Sequence, residues 1–122
     1  MNEVIIILVM AEEKWEEAQF LSQQIKLSGH QARILDMGLL GEAQGRCDIT
    51  REEIILASGK SSEEVAGISD RGKRMPVMVD GAREKVNELF LHGELSGVIS
   101  IGGTTGTRMA TSIMKSLPFG IT

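Results

Sequence analysis

The run Gly102-Gly-Thr-Thr-Gly-Thr107 stands between the apolar residues Val98–Ile101 and an amphipathic stretch, so a strand passes through glycines straight into a helix. Such a junction gathers free backbone amides and the positive end of a helix dipole at one spot, which suits an anion. Gly102, Gly103 and Gly106 would let the main chain approach a phosphate closely, and the hydroxyls of Thr104, Thr105 and Thr107 would add donors. A plain tight turn is the competing reading on composition. No Gly-Lys-Ser/Thr follows, so this is not a P-loop. The first apolar run ends in Met10-Ala-Glu-Glu-Lys14 without glycine, so it is not the dinucleotide fingerprint either.

The elements that would position this loop follow from periodicity. Val4–Met10 is continuous and β-branched, as in a strand covered on both faces of a parallel sheet. Trp15, Ala18, Leu21 and Ile25 then recur at helical spacing, and Gly29 suits the helix end. Ala32–Leu35 is a second strand ending at Asp36, and Met37–Asp48 reads as a long Gly-rich loop. Thr50-x-x-Glu53 and Ser61-x-x-Glu64 match the capping box and predict short helices near 51–58 and 62–67. A long helix is predicted over about Lys73–His92, with Pro76 in its first turn. Val98–Ile101 is a third strand, Thr107–Leu117 a helix stopped by Pro118, and Phe119–Thr122 the start of a fourth strand.

This alternation predicts one α/β domain over 1–122: a small doubly wound, Rossmann-like or flavodoxin-like parallel sheet of about four strands, in three layers. A fourth strand only just begun suggests the N-terminal portion of a longer domain. In the strand order 2-1-3-4 the loops after strands one and three face each other across the switch-point crevice. Glu12, Glu13 and Lys14 would then lie opposite the glycine loop, with Asp36 placed to hold ribose hydroxyls or to cap a turn.

Catalytic chemistry finds little support. His30 and His92 lie far in sequence from the glycine loop, and no Cys/His spacing suggests zinc. The carboxylates of Glu12–Glu17 read as a solvated first helical turn rather than a metal site. Asp70-Arg71-Gly72 is an ion-paired helix start or a ligand contact. The single cysteine, Cys47, permits no internal disulfide and suits a reducing cytoplasm. A net charge of −4 gives no basic face for nucleic acid. The longest apolar run is far short of the roughly 20 residues a membrane helix needs.

Two blocks, Asp70–Ala82 and Gly97–Ile121, together with Asp36-x-Gly38 and Asp48–Ile54, resemble a known group of proteins. These are the ATP-binding domains like that of the tomato mosaic virus resistance protein. The resemblance implies an α/β nucleotide-binding fold that holds ATP, with or without Mg²⁺, in part by the Gly102–Thr107 loop. Lys14 keeps a lysine of that family's first loop, whereas Glu12 and Trp15 replace an aspartate and a glycine, and Thr105 replaces a glycine. A β-branched Thr105 would reshape a loop that needs positive φ. A carboxylate roughly 6 Å from a phosphate would cost about 3 kcal/mol at an effective dielectric near 20, unless Mg²⁺ intervened.

The leading expectation is a nucleotide-binding domain using Gly102, Gly103, Thr104, Thr105, Gly106, Thr107, Lys14 and Asp36, with no catalytic residue assigned. Two alternatives stand beside it. One is a module that has lost ATP binding and serves self-association, partner docking or pairing with a missing C-terminal segment. The other is a binder of a different phosphorylated metabolite.

Overall fold

The β-branched run after Glu3 forms β1 (Val4–Val9), the central strand of a parallel sheet. The computed structural model describes residues 3–115 and 117. Its further elements are α1 (Trp15–Leu27), β2 (Gln31–Asp36), α2 (Arg51–Ala57), α3 (Ser62–Ala66), α4 (Arg71–Leu91), β3 (Gly97–Ile101) and α5 (Thr104–Met114). The three strands lie in the order β2-β1-β3, in a register that places Ile7 between Ile34 and Ile99. The switch point therefore falls between β1 and β3, as the doubly wound reading requires. The fourth strand expected over Phe119–Thr122, and the stop at Pro118, lie outside the described residues.

Side-chain alternation divides the core into two faces. Ile6, Leu8, Leu35 and Val98 point to one face, where α2, α4 and α5 supply Ile54, Val79, Val86, Met109 and Ile113. Ile7, Val9, Ala32 and Ile34 point to the other, where α1 supplies Ala18, Leu21 and Ile25. The result is three layers, with β1 buried between them. On the first face α2 and α4 touch at Gly81, where a Cβ would stand 2.0 Å from the carbonyl oxygen of Ile54. Only glycine permits so close a crossing.

Both N-caps form at the expected sites, and at Ser61 the Glu64 carboxylate closes the box by accepting the Ser61 amide. Thr50 Oγ1 accepts the Glu53 amide at 3.3 Å, and Ser61 Oγ accepts that of Glu64 at 3.2 Å. Two helices begin earlier than their sequence suggests. In α4 the Asp70 carboxylate accepts the Gly72 amide at 2.7 Å, so the helix starts at Arg71 and Pro76 falls inside it. Pro76 has no amide to give the Gly72 carbonyl four residues back. In α5 the helix starts at Thr104, so four of the six residues of the glycine–threonine run are helical.

Candidate functional site

β3 ends at Ile101 beside Val9 of β1, and the chain turns through Gly102 and Gly103 into α5. Gly103 is the N-cap, extended at φ −81° and ψ −151°, and supplies no side-chain cap. The amides of Thr104, Thr105 and Gly106 belong to the first turn, whose N–H groups find no acceptor within an α-helix. Gly102, Gly103 and Thr104 are exposed, and a Cβ on Gly103 would meet nothing within 4 Å. The mouth of this turn is open.

The remaining residues of the run brace it. Gly106 is buried, and a Cβ there would lie 3.8 Å from Met37 Cε and 3.9 Å from Met10 Sδ, so the first turn sits on the ends of β1 and β2. The Thr107 amide donates to the Gly103 carbonyl at 2.9 Å and its hydroxyl to that of Gly102 at 3.5 Å. Thr105 takes a helical conformation, and no non-glycine residue among those described has positive φ. The expectation that Thr105 reshapes a positive-φ loop is thereby corrected: the turn needs no such residue.

Arg71, at the start of α4, reaches across to the loop after β1. Its Nη2 lies 2.9 Å from Glu13 Oε1 and 3.9 Å from Met10 Sδ. Met10 is the side chain on which Gly106 rests, so the guanidinium stands on the same side of the sheet end as the first turn of α5. Lys14 is the N-cap of α1, and its ammonium pairs with Glu17 at 3.7 Å. Both side chains are nearly half exposed, so this pairing holds Lys14 only weakly.

Asp36 and Glu12 are committed elsewhere. Asp36 Oδ1 accepts the amides of Gly38 at 2.8 Å and Ala11 at 3.3 Å, and Oδ2 accepts Arg51 Nε at 3.1 Å. Glu12 Oε2 accepts the amides of Leu39 and Leu40, and Oε1 meets Arg51 Nη2 at 3.3 Å. Arg51 also donates to the Gly41 carbonyl. The loop of residues 37–50 is thus drawn over the end of β1. Gln44 reinforces it, its amide donating to the Ala11 carbonyl and its side chain to that of Glu12.

This network bears on two expectations. Asp36 is almost fully buried, and both its oxygens already accept hydrogen bonds from the protein, among them the Gly38 amide of the turn that follows β2. Glu12 shares Arg51 with Asp36 and Glu13 pairs with Arg71, so part of the repulsion expected against a phosphate is offset. Trp15 does not crowd the glycine turn either. Its indole lies on Gly45, where a Cβ would be 2.0 Å from the ring.

An open cleft of about 380 Å³ lies beside β2, the strand farthest from the β3–α5 turn, lined by Gly41, Arg46, Cys47, Thr50, Arg51 and Glu52. Burial, and then the Asp36 and Asp48 carboxylates, push the Cys47 thiol up to about 12. It carries no thiolate at neutral pH, so it is no nucleophile. Among the described residues no three carboxylate, His or Cys side chains group to hold a metal, and no helix is long and apolar enough to cross a membrane.

Residues 3–122 match the family model for the N-terminal domain of an uncharacterised protein family, UPF0261. A UPF0261 protein of Clostridium tetani is 37% identical over 121 residues, covering 99% of this chain and 30% of the relative. One from Brucella suis is 26% identical, covering 96% and 28%, and one from Mesorhizobium japonicum is 30% identical, covering 96% and 28%. The chain thus spans less than a third of the length of these relatives. This corrects the resemblance drawn from Asp70–Ala82 and Gly97–Ile121: the family matched is UPF0261, and nothing supports the tomato mosaic virus resistance group. Strand–glycine–helix junctions recur across α/β folds because the backbone geometry demands them, and so identify a family poorly.

Proposed function

This chain belongs to the uncharacterised protein family UPF0261 and matches its N-terminal domain; we propose that the domain binds the phosphate of a small ligand, ATP being the first to test, at the β3–α5 turn. The observation that carries this is the uncapped N-terminus of α5, with Gly103 open to solvent at the switch point of the sheet. Arg71 is a cation on the same side, and it engages the phosphate by leaving or sharing Glu13. Mg²⁺, when present, accompanies the phosphates and offsets Glu13.

Magnitudes set the affinity to expect. A helix N-terminus favours an anion by roughly 0.3–1 kcal/mol, and a charge-assisted hydrogen bond adds about 1.5–3 kcal/mol. Micromolar binding needs about 8 kcal/mol. The turn by itself therefore supports millimolar binding, and tighter binding requires Arg71. A second reading, a phosphorylated metabolite without a purine, is favoured by the engagement of Asp36 and the closure of the β1–β2 side by residues 37–50.

The test is amide chemical-shift mapping on the labelled chain, titrated with Mg-ATP, adenosine and inorganic phosphate in turn. Shifts confined to Gly103–Gly106 and the Arg71 side chain, given by Mg-ATP and phosphate but not by adenosine, support the phosphate reading. If a sugar phosphate binds and ATP does not, the second reading replaces the first. Silence from every phosphate compound at millimolar concentration removes both.

A further inference from the structure

The two faces of the sheet are unequally covered. The face of Ile6 and Leu8 carries α2, α4 and α5, whereas the face of Ile7 and Val9 carries α1. α1 lies principally across β2 and β1. Its flank of Gln19, Gln23 and Lys26 sits over Ile34 and Asp48, on the β2 side, which leaves Leu21 on the flank toward β3. On that side β3 presents Ile99, paired with the fully buried Ile7 yet 39% exposed, and Ile101, half-buried beside Val9. Among the described residues, no helix covers β3 on this face.

Topology indicates what covers it. α4 crosses from β2 to β3 on the face that α5 also occupies. Right-handed crossover therefore sends a parallel strand after α5 outward, beyond β3. Such a strand extends the bare face, and a layered domain buries it with an element arriving on the α1 side. The curated relatives have more than two thirds of their length outside the region this chain matches. We propose that the α1-side face of β3, centred on Ile99 and flanked by Leu21 and Ile101, is the docking surface for the part of the UPF0261 chain outside this N-terminal domain. The occupant is apolar where it meets Ile99 and belongs to the same polypeptide in the full-length protein.

The experiment places a cysteine at Ile99 of this chain (Ile99→Cys), and at the matching position of the full-length Clostridium tetani relative in a background without other cysteines. Native maleimide labelling is then compared with labelling in urea. Cys47, buried and protonated, contributes no native background in this chain. The 122-residue chain should label within about tenfold of its unfolded rate, and the full-length relative at least ~100-fold more slowly than its own unfolded rate. Equally rapid labelling of the native full-length relative overturns the proposal. Protection that appears in the 122-residue chain as its concentration rises also overturns it, because a second copy is then the occupant. Leu27, on the outer side of α1, supplies the control: Leu27→Cys should label rapidly in both proteins.

Discussion

Arg51 Nε stands 3.1 Å from Asp36 Oδ2, joining the start of α2 to the end of β2 with little solvent at either side chain. The same guanidinium reaches Glu12, so one cation serves two carboxylates that are themselves fixed by backbone amides. Removing the cation leaves both acids poorly solvated without a counter-charge. Arg51→Met should cost about 3 kcal/mol in urea unfolding, near the lower end of what breaking a buried pair costs. Adding Asp36→Asn to it should recover part of that loss, a double-mutant coupling that an exposed pair would not show.

Glycines 81 and 103 should respond in opposite ways to the same change. A methyl on Gly81 would overlap the Ile54 carbonyl and force α2 from α4, whereas one on Gly103 enters open space at an ordinary φ. Gly81→Ala should lower stability by about 3 kcal/mol, while Gly103→Ala should shift it by less than about 1 kcal/mol. Thermal melts of the two variants beside the unaltered chain check this.

Cys47 gives a dependence on alkaline pH whose sign can be worked out. The unfolded chain releases the thiol proton near 9.0, and the folded chain holds it to about 12. Between those values the unfolded state binds fewer protons, so the stability from this group falls as pH rises. The penalty for Cys47→Ala should therefore shrink between pH 8 and pH 10.5. Native thiol titration at pH 8 should give almost no signal until the chain is unfolded.

The elements that were legible in the sequence are those with a local signature. The apolar run of β1, the stripe of α1 and the hydroxyl–Glu pairs at Thr50 and Ser61 each carry their own pattern, and each element formed within a few residues. The start of α5 was hidden because Gly103-Thr-Thr-Gly106 has the composition of a loop, yet Gly103 is an extended N-cap and the three residues after it are helical. The role of Arg51 was hidden for a different reason. Its partners Glu12 and Asp36 lie 39 and 15 residues away, and no local periodicity connects them. Arg71 stood out as an ion-paired helix start or a ligand contact, but its nearness to α5 was hidden, since it depends on Met10 lying between them.

The phosphate reading rests on amide donors at the start of α5, and one substitution removes a donor while sparing the helix. Thr104 occupies N1, where proline's fixed φ is favoured and its missing N–H costs no intrahelical bond, and Gly103 before it is already extended. Calorimetric titration with Mg-ATP, on the unaltered chain and on Thr104→Pro, is the most direct test. Measurable binding is expected, weakened about tenfold in the variant, a loss of about 1.4 kcal/mol, with an unchanged melting temperature. Equal affinity in the two proteins would contradict the phosphate reading, because the first turn of α5 would then not be holding the phosphate.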